Sequence, residues 1–217
     1  KLKNIKITVT DISEGMVNDA RRNIGNGMFD YGVADCMNLP FDDNSFDCVI
    51  ANHVIFYCEE PGKAFKEIKR VLKPGGKAVF STYGSHHMQE IAQLVNQFDK
   101  RIVLSADVLY EKFGLDNGER LLKKYFNKID KRLYDDYLLV DVAEPIIEYI
   151  LSCHGNHNNY LLDRYSDFKA FITKKAKALE VAASWAFFLL LGQGPVIIGF
   201  DGCFLLIYLQ KSGFDYF

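Results

Sequence analysis

Short β-branched stretches alternate with helix-length amphipathic ones through the first 83 residues, and that alternation constrains the fold more than any other feature. Ile5-Lys6-Ile7-Thr8-Val9-Thr10 alternates apolar and polar residues, the period of a strand. Ser13 is placed to cap a helix, and Met16, Val17, Ala20 and Ile24 follow at helical spacing. Phe29 to Val33 predicts a second strand, and Phe46 to Ala51 reads as a buried third. Pro61 opens the next helix, with Ala64, Phe65, Ile68, Val71 and Leu72 on its apolar face. Lys73-Pro74-Gly75-Gly76 ends that helix, and Lys77 to Thr82 predicts a fourth strand. Strands separated by helices predict a parallel sheet covered on both faces, an α/β fold.

Acidic and polar residues stand where these strands end. Val9-Thr10-Asp11-Ile12-Ser13 closes the first, with Met16 one turn into the helix. Ala34-Asp35-Cys36-Met37-Asn38-Leu39-Pro40-Phe41 follows the second, and Asn52-His53 follows the third. Glu67-Ile68-Lys69-Arg70-Val71-Leu72-Lys73-Pro74-Gly75-Gly76-Lys77 completes the series. Ligands of open α/β sheets sit beyond the carboxyl ends of the strands. Each aspartate also reads, alone, as a helix or turn cap.

Together, in this order and spacing, these stretches resemble the class I S-adenosylmethionine (SAM)-dependent methyltransferases over roughly residues 5–83. The resemblance implies a Rossmann-like sheet and SAM as cofactor. It gives Asp11 the two ribose hydroxyls. It has Asp35 accept from the adenine amino group and the Cys36 backbone N–H donate to an adenine ring nitrogen. Ile12, Met16 and Met37 would flank the adenine, and Asn52 would lie beside the methionine end. His53, next to Asn52, is the candidate base where an acceptor must lose a proton, with a packing histidine as the alternative. Tyr57, Tyr83 and His86, the last beside His87, are candidate acceptor-side residues.

One departure from the pattern is large. The resemblance implies a leading strand and a glycine-rich loop, whose glycines let backbone approach the cofactor. Nothing before Asp11 supplies them, and Gly25-Asn26-Gly27 comes after the first helix. The missing strand belongs between the Asp11 strand and the Asn52 strand, so a gap in the sheet and weak or absent SAM binding are expected. The first residue is Lys1, which reads as the interior of a longer gene product.

The organisation expected is a partial SAM-binding core over 1–83, a helical substrate cap with late core elements over 84–190, and closing strands over 191–217. Met88 to Phe98, Glu144 to Leu151 and Tyr165 to Leu179 predict helices, and Ile129 to Val140 a strand. Asp116 and Glu119 have capping-box spacing. Tyr110, Phe113 and Tyr160 are aromatics available to line a pocket. Residues 181–209 are very apolar, but Gly192-Gln193-Gly194-Pro195 and Asp201-Gly202 interrupt them. They read as a buried helix and closing strands rather than a span, which needs about 20 apolar residues.

Net charge is -2, with 26 basic and 28 acidic residues, so no nucleic-acid partner is expected. Asn52-His53-Val54-Ile55 also differs from the Asp/Asn-Pro-Pro-Tyr type of base-methylating enzymes. The five cysteines lack C-x-x-C spacing and read as reduced, mostly buried thiols of a cytoplasmic protein. His86-His87 and Cys153-His154-Gly155-Asn156-His157 lack partners at ligand spacing, so no metal is expected. The reading is methyl transfer to a small-molecule acceptor. A non-catalytic domain of the same fold and a nicotinamide-dependent oxidoreductase are the rivals, the latter weakened by the missing glycine fingerprint.

Overall fold

The computed structural model describes residues 5–25, 27–105, 108–140, 142–175, 179–190 and 206–211; side chains are described outside 135–139, 179–190 and 206–211. The chain runs β1 (Ile5–Asp11), α1 (Glu14–Ile24), β2 (Phe29–Val33), β3 (Phe46–Asn52), α2 (Pro61–Val71), β4 (Leu72–Tyr83), α3 (Gln89–Phe98), α4 (Leu109–Lys112) and α5 (Gly118–Leu122). It continues through β5 (Asp130–Val140), α6 (Glu144–Ser152), α7 (Asn158–Leu161), α8 (Tyr165–Lys175), β6 (Leu179–Leu190) and β7 (Leu206–Lys211). The chain forms two units: one of residues 1–82, 110–132 and 186–217, the other of 83–109 and 133–185.

The first unit is built on the sheet order β2-β1-β7-β3-β4. β1 and β2 are parallel, with Asp11 opposite Val33, and β3 and β4 are parallel, with Asn52 opposite Ser81. The α/β fold read from the sequence is therefore present. The expected gap is not. β7 occupies the place between β1 and β3 and runs antiparallel to both, with Leu206 opposite Thr10 on one side and Ala51 on the other. A sheet centre with unbonded N–H and C=O groups is costly, and β7 satisfies both edges.

Packing follows the sequence periodicities. Val9, Val49, Ala51, Ala78 and Phe80 are buried on the strands, while α2 buries Ala64, Phe65, Ile68 and Val71. Phe65 and Phe80 meet edge-on with centroids 5.6 Å apart. Phe113 joins both, at 5.5 and 6.0 Å, and is fully buried. Each such ring contributes about 1.5–3 kcal/mol by leaving water. Phe113, expected to line a pocket, is thus a core residue, and Thr82 Oγ1 donates to its carbonyl at 2.6 Å.

Two glycines shape the start of β4. The register jumps from Phe46 opposite Leu72 to Cys48 opposite Lys77, so the residues between bulge outward. Gly75 holds φ at 78°, and a Cβ on Gly76 would lie 2.9 Å from the Lys73 carbonyl oxygen.

The second unit has its own core of Ile91, Leu94, Val95, Ile146, Ile147, Ile150, Leu161, Phe168 and Ile172. α3 and α6 match the sequence expectation, and α8 ends at Lys175. Residues 179–190 form β6 rather than the buried helix expected after 181, as the β-branched and aromatic content of Val181 to Phe188 permits. The Asp116–Glu119 capping box is absent: α5 starts after Asn117, whose Oδ1 accepts from the Gly114 N–H at 2.8 Å. The expected closing strand is represented by β7, and the Gly192–Pro195 and Asp201-Gly202 breaks lie outside the described residues. Among the described residues no helix is long and apolar enough to cross a membrane.

Candidate functional site

The sheet of the first unit brings Asp11, Asp35 and Asn52 to one edge, because parallel strands deliver their carboxyl ends to the same side. Asp11 is the last residue of β1. Its Oδ1 accepts from the Ser13 N–H at 2.7 Å, and Ser13 Oγ in turn accepts from the Met16 N–H at 3.4 Å. This Asx-type turn ties the carboxylate to the first turn of α1. Burial pushes the Asp11 pKa above its usual 3.8, opposed by the Ser13 and Ile12 N–H groups. Ile12 projects as an exposed apolar side chain at 69% exposure, and Met16 is half-buried behind it.

Asp35 lies beyond β2. Its Oδ1 accepts from the Met37 N–H at 2.8 Å, and its carbonyl accepts from the Asn38 N–H at 2.9 Å. The turn presents the Cys36 and Met37 backbone on the carboxyl side of the sheet. Cys36 itself is buried and its Sγ lies 3.1 Å from Cys58 Sγ.

The turn is clamped from below by α2. Arg70 donates to the carbonyls of Leu39 at 3.0 Å and Phe41 at 2.7 Å, to Asp43 Oδ1 at 2.8 Å and to Glu67 Oε2 at 2.8 Å. Glu67 Oε2 accepts the Leu39 N–H at 2.9 Å. Arg70 lowers the Glu67 pKa by this pairing. Sequence reading treats Leu39-Pro40-Phe41 as punctuation and misses the clamp; the signal available is Glu67 and Arg70 three apart on one helix face.

Asn52 ends β3. Ser81 Oγ, fully buried opposite it on β4, donates to Asn52 Oδ1 at 2.6 Å and accepts the His53 N–H at 3.0 Å. His53 adopts φ of 53°, a left-handed backbone that costs a non-glycine residue about 1 kcal/mol or more. Its ring is buried with its centroid 6.0 Å from Phe56, so it packs as well as following Asn52. Tyr57 is exposed just beyond. Ser81 is a site-edge residue that sequence reading does not single out, since a serine inside a strand carries no pattern.

Tyr83 and His86 belong to the second unit. Tyr83 lies against His87 with centroids 5.2 Å apart, and His86 Nδ1 is 3.0 Å from Gln89 Oε1. Tyr160 lies under the Arg101 guanidinium at 4.5 Å, and the Tyr110 carbonyl accepts from Asn117 Nδ2 at 3.2 Å.

The Asp11–Asp35 edge fits an adenosine. A carboxylate offers about four lone-pair directions, and at Asp11 the Ser13 N–H occupies one, leaving room for a diol. Exposed Ile12 and half-buried Met16 and Met37 offer an apolar face for a base. Between this edge and Asn52 stands the start of β7, at Leu206, where the resemblance calls for a glycine-rich loop.

Comparison with known proteins bears on this geometry. Residues 1–80 match the family model described as a methyltransferase domain. The chain is 39% identical over 80 residues to the demethylmenaquinone methyltransferase of Clavibacter sepedonicus, covering 36% of this chain and 33% of that one. It is 44% identical over 91 residues to the malonyl-[acyl-carrier protein] O-methyltransferase of a Marinomonas species, covering 42% and 27%. The chain thus spans about a third or less of these two relatives' length. Among solved structures, the YcgJ protein of Bacillus subtilis aligns with a TM-score of 0.53 at 15% identity, over 85% of this chain and 82% of that one, a likeness of fold.

Proposed function

We propose that this chain, whose residues 1–80 carry a methyltransferase domain of the class I SAM-dependent type, takes part in methyl transfer to a small-molecule acceptor. The observation that supports this best is the edge itself: Asp11, the Asp35 turn and Asn52 stand at the carboxyl ends of β1, β2 and β3, each fixed by its own hydrogen bonds.

When bound, SAM supplies a methyl group already activated on a sulfonium. The chain's own residues then have three tasks. Asp11 holds the ribose hydroxyls, with its burial strengthening each bond it makes. Asp35, the Cys36 N–H, Ile12, Met16 and Met37 orient and cover the base. Asn52, fixed by Ser81, stands at the end of β3 beside the expected methionine end. In-line displacement is accelerated chiefly by alignment and exclusion of water, so positioning is the main requirement. For an acceptor that must lose a proton, His53 is the group we assign to take it. His53→Ala is then expected to lower turnover without changing cofactor affinity, and unchanged turnover removes it from the mechanism.

A second reading is a non-catalytic domain that keeps the fold, and one observation favours it: β7, not a glycine-rich loop, reaches the centre of the edge. Calorimetric titration of the 217-residue chain with S-adenosylhomocysteine separates the two. Micromolar binding that Asp11→Ala weakens by about tenfold or more supports the cofactor assignment and licenses an acceptor screen. No binding by a folded chain supports the non-catalytic domain.

A further inference from the structure

Two cysteines are brought together by elements that are far apart in sequence. Cys36 comes from the turn beyond β2, and Cys58 follows the 3-10 turn Ile55–Tyr57 beyond β3. Their sulfurs lie 3.1 Å apart, and both residues are buried, at 8% and 5% exposure. A disulfide has S–S of about 2.0 Å, so about 1 Å of approach separates this contact from a bond. Both are free thiols here.

The pair is chemically asymmetric. Either sulfur can donate to the other; with Cys36 as donor, the contact lowers the Cys58 pKa and raises that of Cys36. The Lys112 cation acts in the same direction on Cys58, while the Asp35 carboxylate opposes it. Thiolate is the reactive form of cysteine, so Cys58 is the better nucleophile of the two. The other described thiols differ. Burial pushes Cys48 up to about 11, and Cys153 is also raised by burial. Neither has a second described sulfur in contact.

We infer that Cys36 and Cys58 form a redox-active pair that a small peroxide converts to an intramolecular disulfide, pinning the Asp35 turn to the segment that follows β3. The Cys58 thiolate attacks one peroxide oxygen, breaking the O–O bond; the departing hydroxide takes up the proton that Cys58 released on ionising and leaves as water. The sulfenic Cys58 is then attacked by Cys36 sulfur, the S–O bond breaks, and the Cys36 proton leaves with that oxygen as a second water. Two thiols and one peroxide give one disulfide and two waters: sulfur is oxidised and the peroxide is reduced. The loop closed between residues 36 and 58 holds the whole of β3, so the bond restricts the unfolded chain.

The test is a titration of the full chain with hydrogen peroxide, followed by blocking of residual thiols and non-reducing peptide mapping. The expected result is a Cys36–Cys58 linked peptide as the first and main product, with a higher thermal midpoint that dithiothreitol reverses. Cys58→Ser is expected to give no shift in midpoint and to leave Cys36 as a thiol; Cys36→Ser is expected to leave Cys58 as a trappable sulfenic acid. Recovery of both cysteines as blocked thiols after Cys153 has been oxidised overturns the inference, as does a main disulfide that joins any other pair. The mass readout does not involve the cofactor, so the inference stands or falls apart from the proposed function.

Discussion

Asp11 is held by two opposed demands. Its turn to Ser13 fixes the carboxylate where a diol is to be bound, yet burial penalises its charge and raises its pKa above 3.8. An acid with a raised folded pKa binds its proton more tightly when folded. The stability it contributes is full below its unfolded value and is lost as pH rises through the folded value. Asp11→Asn keeps an oxygen for the Ser13 N–H and has no charge to desolvate. The thermal midpoint of Asp11→Asn is therefore expected to exceed that of wild type at pH 7, with the difference closing as pH falls below 3.8. The same variant is expected to bind S-adenosylhomocysteine about tenfold or more weakly, since a charged acceptor gives bonds worth about 1.5–3 kcal/mol. A midpoint below wild type at pH 7 would show that the carboxylate is structural rather than strained for binding.

At the scale of elements, Arg70 and Glu67 clamp α2 to the turn beyond β2. One guanidinium serves two carbonyls and two carboxylates, a geometry that a lysine cannot reproduce. Arg70→Lys is expected to lower stability by about 1–3 kcal/mol, measured by urea unfolding. Glu67 gives the link its pH dependence. Its pKa is depressed below 4.5 by Arg70, so its contribution is full above 4.5 and is lost as pH falls through the folded value. In Arg70→Lys this acid-side loss should shrink; an unchanged urea midpoint would mean that the turn is held by Asp35 and its own backbone bonds. The clamp also marks the limit of what was legible in the sequence. Period and punctuation were enough for β1, α1, β2, β3 and α2, because each buries an apolar face whose spacing is local. The places of Asp11, Asp35 and Asn52 at the strand ends were legible because strand ends converge in a parallel sheet. Glu67, Arg70 and Ser81 were not, since their partners lie 27 or more residues away in the cases of Leu39, Asp43, Phe41 and Asn52. Phe113 was misassigned for a related reason: an aromatic ring fits a pocket wall or a core equally well until its neighbours are known.

At the scale of the whole molecule the question is what completes the sheet. β1 and β2 are parallel, β3 and β4 are parallel, and β7 alone joins the two pairs in the described register. Without it, β1 and β3 would each present an unpaired edge at the centre of the unit, where Val9, Val49 and Ala51 are buried. Nothing local in Leu206 to Lys211 announces this role, because an apolar strand carries no signal of which slot it enters. The placement has a direct consequence for stability. Removal of residues 206–217 is expected to abolish cooperative unfolding, as two half-sheets lose the strand that binds them. It is also expected to expose edges that pair between molecules. Heat-capacity scans and sedimentation of the truncated chain read both effects. A truncated chain that unfolds at the wild-type midpoint as a monomer would show that β7 does not sit between β1 and β3. Replacing Tyr208 by proline makes the same point without deletion. Tyr208 lies opposite Thr8 on one side and Val49 on the other, so proline removes a ladder donor from the centre of the sheet. A large fall in midpoint for Tyr208→Pro would place the strand in its slot even where truncation causes aggregation.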